Sequence, residues 1–546
     1  MIGRLIQDRL VAAPEKIGCR FISDAGEFTL TQGALVGMAS DAAWRVSALD
    51  LPPRSIIGIA QYSGPALHAA WLGVLWSGHI PAMLAPPSPR MELAKYVSGL
   101  TGIVNGLKLR ALIVDPESAA SMSHLIGDVA FVNAADFDPA AQFFPACNIG
   151  ADDVAILQHS SGTTGQQKAI ALSAAEILSH QRAFGERIAL SSSDKIISWL
   201  PLYHDMGFIA AFLQPLVVGL ELVEMSPFAW VSRPAMLLEA ISRHRPTLCW
   251  LPNFAFSVLA GPRVLRSLDG IDLSSVRMWI NSAEPVMADS IDRFVAALAP
   301  YGVAPESVST SYGMAENVLA ITQSAPGKVQ RLTVDREQLE TSGQIVEASL
   351  ENSRHMVVVS NGPPLASTQL EVRDPQGELL GEGVVGEFHI RGSHRISGYY
   401  QRPDLTGGPL EPTSWFATGD LGFIKDGEAF VTGRKKDLLI LRGRNYLAQE
   451  MEEAICAISG IRPGRVAVFS LPDPGLGTER LIVVAEAEAG VATGPLALAI
   501  RACIAQTFDT TISDLRIVPE RWLIKSTSGK LARKDNSAKY LREFGN

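Results

Sequence analysis

The first half of the chain alternates short strand-like runs with helix-like segments, and this alternation constrains the fold more than any other feature. Pro65–Trp76 is a run of small and apolar residues with helical spacing. The β-rich runs around it are Ser55–Ala60, Ala111–Val114 and Val154–Gln158. Strands that are separated by helical segments predict βαβ units and a parallel sheet. We therefore predict an α/β fold for this half of the chain.

The pattern changes after about Gln369, where apolar and polar residues alternate around glycine-rich turns. This texture predicts antiparallel β structure. A second change follows the charged run Gly433–Asp437. One helix-like and two strand-like segments come after it, namely Glu450–Ile458, Arg465–Ser470 and Arg480–Ala487. We predict a domain boundary at this run, with an N-terminal domain over residues 1–433 and a C-terminal domain over residues 434–546.

The composition argues against several classes of protein. The chain has 546 residues, a net charge of -9 and a pI near 5.7, whereas a nucleic-acid binder usually carries a basic stripe. Its five cysteines form neither a CxxC pair nor a Cys/His cluster, so we expect buried free thiols and not a zinc site or disulfides. The most apolar stretches, Leu67–Ala85 and Phe208–Leu220, are interrupted by polar residues or proline, and the N-terminus lacks an apolar signal segment. We expect a cytoplasmic protein with no stable membrane insertion and no nucleic-acid partner.

A loop rich in serine, threonine and glycine, residues 160–168, follows the strand-like run VAILQ. Glycine lets a backbone turn sharply, and the N–H groups of such a loop can form a concave anion site. The residues that would bind phosphate are Ser160, Ser161, Gly162, Thr163, Thr164, Gly165 and Lys168. The composition predicts a phosphate cradle, although a flexible Ser/Gly loop has the same composition and the GKS or GKT ending of a P-loop is missing.

Seven segments together resemble the acyl-adenylate-forming superfamily, which includes acyl-CoA synthetases, luciferases and the adenylation domains of peptide synthetases. The loop at residues 160–168 is similar to its phosphate-binding loop, with Gln167 where that loop usually has proline. Six further motifs follow in the order of the family, namely Trp199–Gly207 (WLPLYHDMG), Asn281–Pro285 (NSAEP), Ser311–Glu316 (SYGMAE), Thr418–Leu421 (TGDL), Gly433–Asp437 (GRKKD) and Ser526–Lys530 (STSGK). Each motif is short, but all of them in order over nearly the whole chain are hard to obtain by chance.

The resemblance implies a nucleotide site. The residues that would contact the adenine are Ser282, Ala283, Glu284, Ser311, Tyr312, Gly313 and Met314. Asp420 would hold the ribose hydroxyls, and Arg434 would also reach the ribose. Glu316 and Thr164 would bind Mg²⁺, a cation that prefers oxygen ligands and takes few of them from the protein. ATP and Mg²⁺ are therefore the cofactors that the motifs imply.

The resemblance also implies roles in the chemistry. Lys530 would be the catalytic lysine at the α-phosphate, acting together with Glu316, and Lys436 would be the hinge of a mobile lid. His204 would position the substrate carboxylate, which is ionised at neutral pH and needs no general base. The acyl pocket would include Met206, Gly207, Ala210 and Ala211. Taken singly, each residue could equally belong to the core or the surface, and it is the order of the motifs that favours function.

Within the superfamily the chain resembles most the fatty acyl-AMP ligases. A QPL segment follows the WLPLYHDMG motif, and GRNYLAQEMEEAI stands where other branches have a Gly-Gly-based loop. Residues 329–365 look like the insertion that is typical of this branch and is thought to limit the lid movement that CoA ligases use. The resemblance implies a large N-terminal domain of two α/β subdomains plus a small β-barrel-like subdomain, followed by a small mobile α+β lid.

The motifs predict an ATP-dependent ligase that converts a carboxylic acid, a fatty acid by the branch, into acyl-AMP and pyrophosphate. No carrier-like sequence follows Lys530, so the acyl group would pass to the phosphopantetheine thiol of a separate acyl carrier protein, in lipid or polyketide/nonribosomal peptide biosynthesis. An acyl- or aryl-CoA ligase is one alternative, and a catalytically weak adenylate-binding regulatory protein is another. Ala210 and Ala211 stand where the branch often has Gly-Gly, which leaves the acyl type open.

Overall fold

The structure is a computed structural model that describes most of the chain. The described residues are 1–87, 93–122, 129–159, 169–349, 351, 355–406, 410–411, 413–441, 444–473, 478–526 and 530–545. No helix in this part of the chain is both long and apolar enough to cross a membrane.

Two large, mainly parallel sheets form the first part of the fold and confirm the predicted α/β class. One contains, in spatial order, the strands Ala320–Gln323, Val308–Gly313, Met278–Ser282, Leu248–Pro252, Lys195–Ser198, Glu221–Met225, Ile17–Ser23 and Gly26–Thr31. The other contains Ala130–Asn133, Ala111–Val114, Ile56–Ile59, Ile80–Met83, Val154–His159 and Ala169–Ser173. The inner strands of both sheets pair in parallel. The two edge strands of the first sheet and the edge strand Ala169–Ser173 of the second are antiparallel to their neighbours.

Helices cover both sheets. The α-helices are Ile2–Ala12, Gln32–Ser47, Pro65–Trp76, Leu93–Leu107, Pro116–Met122, Ala174–Arg187, Gln214–Val218, Pro227–Ser232, Ala235–His244, Asn253–Leu259, Pro262–Leu265 and Ala288–Leu298. Met206–Leu213 is a π-helix, and short 3₁₀ turns occupy Ala299–Tyr301, Pro305–Ser307 and Ala315–Asn317. Ser173 and Glu176 cap one helix reciprocally, which satisfies two backbone N–H groups that the helix itself cannot.

One hydrophobic core joins the two sheets, and Pro65–Trp76 runs through it. The helix has the predicted bounds, and its tryptophans Trp71 and Trp76 are fully buried. Gly73 allows the helix Gln32–Ser47 to approach closely, because a Cβ at Gly73 would lie 2.5 Å from Ala42 Cβ. The two sheets therefore form one packed body, because the apolar residues of this helix are buried in a core that residues of both sheets share.

The region after about Gln369 forms the predicted antiparallel sheet. Its strands are Thr368–Arg373, Gly386–Gly392, Phe416–Lys425 and Glu428–Arg434, with a 3₁₀ turn at Pro403–Leu405. The candidate insertion, residues 329–365, contains an antiparallel strand pair and a helix, namely Arg331–Asp335, His355–Val359 and Arg336–Ser342. It packs beside the helix Ala288–Leu298, where Arg331 pairs with Asp292.

A separate α+β body comes last in the chain, and we call residues 438–545 the C-terminal unit. Its strands are Leu438–Leu441, Arg444–Leu447, Ile461–Asp473, Thr478–Ala487 and Asp514–Val518, and its helices are Ala448–Cys456, Thr493–Phe508 and Arg533–Phe544. The buried members of its two hydrophobic clusters all lie between Leu439 and Tyr540. A 3₁₀ turn at Lys435–Asp437 precedes the unit. The domain boundary at residues 433 and 434 stays a prediction, as does the hinge at Lys436.

The cysteines are free thiols, as expected, but the expectation that all are buried is wrong. Cys19 and Cys249 are buried, Cys456 and Cys503 are partly exposed, and Cys147 is exposed. Cys147 lies in a segment without regular secondary structure, where a small side chain can reach water.

Candidate active site

A cleft with a cavity volume of about 1750 Å³ lies between the C-terminal unit and the rest of the fold. Many predicted site residues line it, namely His204, Met206, Ser282, Ala283, Glu284, Ser311, Tyr312, Gly313, Met314, Glu316, Asp420, Arg434, Lys436 and Lys530. Residues of motifs that are far apart in sequence therefore line the same cleft. The predicted phosphate loop lies outside the described residues, and with it Ser160, Ser161, Gly162, Thr163, Thr164, Gly165 and Lys168.

Asp420 is the centre of a polar corner in this cleft. Tyr312 Oη donates to Asp420 Oδ2 at 2.8 Å, and Arg434 Nε forms an ion pair with Oδ1 at 2.9 Å. The strand register itself pairs Asp420 with Arg434. Burial, and then the Asp420 charge, raise the pKa of Tyr312 well above its usual range, so that the phenol stays a donor. A side-chain carboxylate that is fixed in this way can accept hydrogen bonds from a pair of hydroxyl groups.

The loop after the strand Met278–Ser282 forms a second wall of the cleft. Ala283 has a left-handed backbone with φ of 71°, a conformation that costs a non-glycine residue about 1–3 kcal/mol. Glu284 Oε2 accepts from Phe254 N at 2.9 Å, and Asn281 Nδ2 donates to Asn253 Oδ1 at 3.0 Å. Hydrogen bonds on both sides of Ala283 therefore hold the strained turn in place.

Glu316 is buried at the edge of the cleft. Its Oε1 accepts from Tyr399 Oη at 2.7 Å, and its backbone oxygen accepts from Ile396 N at 2.9 Å. Burial, and then Glu316, raise the pKa of Tyr399 above its usual value. The sequence did not identify Tyr399, because it lies 83 residues from Glu316 and belongs to none of the motifs. A buried carboxylate beside a polar cleft offers the hard oxygen ligand that Mg²⁺ prefers.

His204, Asp205 and Lys530 meet where the C-terminal unit closes over the cleft. His204 Nδ1 lies 2.7 Å from Asp205 Oδ1. Burial alone would raise the pKa of Asp205, but His204 and Lys530 hold it well below its usual range. Burial lowers the pKa of Lys530, and the Asp205 charge opposes that fall. Asp205 is thus a further residue of the site, directly after the histidine that was predicted.

The apolar end of the cleft contains part of the predicted acyl pocket, which stays a prediction. Of the described residues that were predicted for it, Met206 alone lines the cleft, whereas Gly207, Ala210 and Ala211 are buried in the π-helix behind it. The lining there includes Phe184 and Trp250, whose ring centroids lie 6.1 Å apart. Neither aromatic residue has a signal in the sequence, since both look like ordinary core positions of a helix and a strand.

A charged cluster joins the candidate insertion to the C-terminal unit. Arg336 Nη1 donates to Glu450 Oε2 at 2.9 Å and lies 3.7 Å from Glu340 Oε1. The guanidinium also stacks over the Phe508 ring, 4.9 Å from its centroid. Glu450 and Phe508 belong to the C-terminal unit, so this cluster fastens the unit in the position that brings Lys530 into the cleft.

Several known proteins are similar to this chain in sequence or in structure. The medium-chain-fatty-acid acyl-carrier-protein ligase JamA of Moorena producens is 29% identical over 87% of this chain and 83% of its own length. A protein of Caulobacter vibrioides with the provisional name acyl-CoA synthetase is 31% identical over 89% of this chain and 86% of its own. A solved structure from studies of fatty acyl-adenylate ligases of E. coli and L. pneumophila superposes with a TM-score of 0.89 at 26% identity, covering 99% of this chain and 98% of the other. The sequence pattern of the AMP-binding enzymes matches residues 9–400, and the chain therefore belongs to this family, whose members use ATP.

Proposed function

We propose that this enzyme is a ligase that activates a fatty acid to acyl-AMP with release of pyrophosphate, and then transfers the acyl group to the phosphopantetheine thiol of a separate acyl carrier protein. One observation carries the proposal. Lys530 of the C-terminal unit lies in the same cleft as the Asp420 corner and the apolar wall at Trp250. A cation that lies between a polar, nucleotide-sized end of the cleft and an apolar end is well placed to stabilise the reaction of a carboxylate with a phosphate.

In the first step, a carboxylate oxygen of the acid attacks the α-phosphorus of ATP. A new P–O bond forms, the bond to the pyrophosphate oxygen breaks, and pyrophosphate leaves with that electron pair. No proton moves, because the acid is ionised at neutral pH. Lys530 would stabilise the negative charge that gathers at the α-phosphate, and His204 would orient the attacking carboxylate. Such a reaction depends mainly on positioning and on charge stabilisation.

The polar corner would hold the nucleotide. Asp420 would accept hydrogen bonds from the ribose hydroxyls, with Arg434 and Tyr312 fixing its orientation. Glu316, together with Thr164 of the phosphate loop, would hold Mg²⁺. The donor chemistry of Glu316 fits that ion, since Mg²⁺ keeps several waters and takes one or two carboxylates from the protein. The ion would neutralise phosphate charge.

In the second step, a thiol sulfur attacks the acyl carbon. The bond from that carbon to the AMP oxygen breaks, AMP leaves, and the thiol proton passes to solvent. The relative JamA by its name uses a carrier protein as acceptor. The Arg336 cluster supports the same acceptor here, because an insertion fastened to the C-terminal unit restrains the movement that a free thiol such as CoA would need.

The experiment is to supply the enzyme with ATP, Mg²⁺ and a panel of fatty acids of increasing length, and to measure pyrophosphate release and acyl-AMP. CoA and a phosphopantetheinylated carrier protein are then added separately, and both thioesters are quantified. We expect acyl-AMP with a defined range of chain lengths and thioester on the carrier. Efficient acyl-CoA formation would favour the CoA-ligase alternative, to which the name of the Caulobacter relative points. The absence of acyl-AMP with every acid would overturn the proposal and leave the adenylate-binding regulator.

A further inference from the structure

A chain of buried and partly buried hydrogen bonds joins the C-terminal unit to the nucleotide loop. Ser290 Oγ donates to Glu453 Oε1 of the C-terminal unit at 2.9 Å. Asn253 Nδ2 donates to Ser290 Oγ at 3.2 Å, and Asn281 Nδ2 donates to Asn253 Oδ1 at 3.0 Å. Asn281 lies two residues before Ala283, the strained residue of the loop that lines the cleft. A carboxylate of the C-terminal unit is thus connected to this loop by a short run of side-chain contacts.

Ser290 has no spare hydrogen-bonding capacity in this arrangement. Its side chain is 0% exposed, and its oxygen also accepts from Ser257 Oγ at 3.3 Å. A hydroxyl group has one proton and two lone pairs. With both lone pairs used by Asn253 and Ser257, the proton of Ser290 is directed at Glu453. If the C-terminal unit moved away, this hydroxyl would lose its protein acceptor, so the contact favours the closed arrangement.

The surroundings of Glu453 favour its neutral form. The charged and titratable groups near it are Arg293, Asp289 and Glu284 on the facing elements and Glu452 and Cys456 on its own helix. Burial raises the pKa of Glu453 to about 7, against the opposing effects of Ser290 and Arg293. Glu452 on the same helix is already neutralised by Arg533, whose Nε donates to it at 2.8 Å. Glu453 has no such direct ion pair in the part of the chain that the structure describes.

We propose that Glu453 is a positioning residue that links closure of the C-terminal unit to the nucleotide loop through Ser290 and Asn253, and that ionisation of Glu453 weakens this closure. The inference rests on the proposed function in that closure brings Lys530 to the reacting phosphate. Closure therefore favours adenylation, and opening favours access of the thiol. Glu453 contacts no substrate and acts through the loop that it holds.

The sign of the pH effect comes from comparing the two arrangements. In the closed arrangement the pKa of Glu453 is about 7, whereas in water the carboxyl would regain its ordinary value near 4.5. The closed arrangement therefore binds the proton more tightly. The contribution of Glu453 to closure is fully present at low pH, is lost progressively as the pH rises towards 7, and stays lost above it.

The test uses the full chain and three variants. Glu453→Gln keeps an acceptor for Ser290 but cannot ionise, so closure should no longer weaken with pH. Ser290→Ala removes the contact, so closure should weaken at every pH. Glu488→Gln is the matched control, since Glu488 is exposed on the same unit. Small-angle X-ray scattering with ATP present, from pH 6 to 8.5, measures compactness without any acyl chemistry. Single-turnover rates of acyl-AMP formation and of transfer from preformed acyl-AMP to a carrier protein are measured over the same range.

We expect the Glu453→Gln variant to remain compact at pH 8.5 where the wild type expands. The ratio of its adenylation rate to that of wild type should rise about tenfold between pH 6 and pH 8.5, and the ratio of the transfer rates should fall about tenfold. A population shift changes a rate by no more than the change in the equilibrium constant. Ratios to wild type that stay flat for Glu453→Gln, as they should for Glu488→Gln, would overturn the proposal. If no acid is adenylated, the proposed function fails, while the scattering curves still decide the role of Glu453.

Discussion

Replacing Arg336 by methionine would shift the enzyme from adenylation towards transfer to a free thiol. The guanidinium pairs with Glu450 at 2.9 Å and stacks over Phe508, and the two charged side chains are 12% and 16% exposed. This is the charged cluster between the candidate insertion and the C-terminal unit. A point variant is more informative than deletion of residues 329–365, because Ser360 and Asn361 within that segment are buried and hydrogen-bonded to the antiparallel sheet.

The size of the effect can be worked out from the contacts that are lost. A hydrogen bond between charged groups contributes about 1.5–3 kcal/mol, and a cation over an aromatic ring contributes about 0.5–2 kcal/mol. Methionine keeps part of the packing on Phe508, so we take a loss of about 2–3 kcal/mol for the closed arrangement. At about 1.4 kcal/mol for each factor of ten, the equilibrium between closed and open arrangements shifts by roughly 30- to 150-fold.

The assay is thioester synthesis with CoA and with a carrier protein, measured beside acyl-AMP formation. Arg336→Met should raise the ratio of acyl-CoA formation to acyl-AMP formation about tenfold or more, because an open arrangement admits a free thiol and brings Lys530 to the phosphate less often. Arg331→Met is the matched control. Arg331 belongs to the same segment, but its partner Asp292 is outside the C-terminal unit, and the two side chains are 37% and 59% exposed, so the pair contributes little. Equal product ratios in the two variants would refute the idea that the Arg336 cluster restrains the C-terminal unit.

Three further changes test the site itself. Lys530→Ala should lower the rate of acyl-AMP formation, measured by pyrophosphate release, by about 10²–10³-fold, while a nucleotide titration should show ATP binding largely kept. Lys328→Ala, which changes an exposed lysine, is the control and should leave the rate unchanged. Glu316→Gln keeps an acceptor for its tyrosine partner but loses the charge, so the Mg²⁺ concentration for half-maximal activity should rise, and an unchanged Mg²⁺ titration would remove Glu316 from the metal site. Trp250→Phe should shift the chain-length profile towards longer acids, by about 1–3 kcal/mol for each methylene accommodated. Trp279→Phe, at a buried tryptophan outside the cleft lining, should leave the profile unchanged.

The sequence predicted the elements whose periodicity is local. Pro65–Trp76 has its predicted bounds because a run of small apolar residues after proline can form a helix that is buried on all sides. The strand at Val154 extends one residue further than predicted, to His159, where the chain enters the predicted phosphate loop. Strand ends are set by the pairing with Ala169–Ser173, which a single strand does not reveal.

The candidate site was predicted as a set of motifs but not as a set of contacts. The pair of Glu316 and Tyr399 joins residues 83 positions apart, and the pair of Ser290 and Glu453 joins residues 163 positions apart. Neither pair leaves a local signature, because ordinary core or surface positions would carry the same residue types. The acyl pocket stays a prediction, because part of it lies on the π-helix after Asp205. The wider turns of this helix bury Ala210 and its neighbours behind the cleft, and an apolar run gives no sign of which side will face a ligand.

The helix Ala448–Cys456 makes two different kinds of contact with the rest of the fold. Glu450 and Glu453 are three residues apart and therefore lie on neighbouring parts of one helix face. Glu450 is paired with an arginine, whose charge does not change near neutral pH, so that contact is constant. Glu453 meets a neutral serine, and its hold depends on its own proton. With a constant contact and a titratable contact on one helix, a small change in charge shifts the balance between the closed arrangement and the one in which Lys530 has left the cleft.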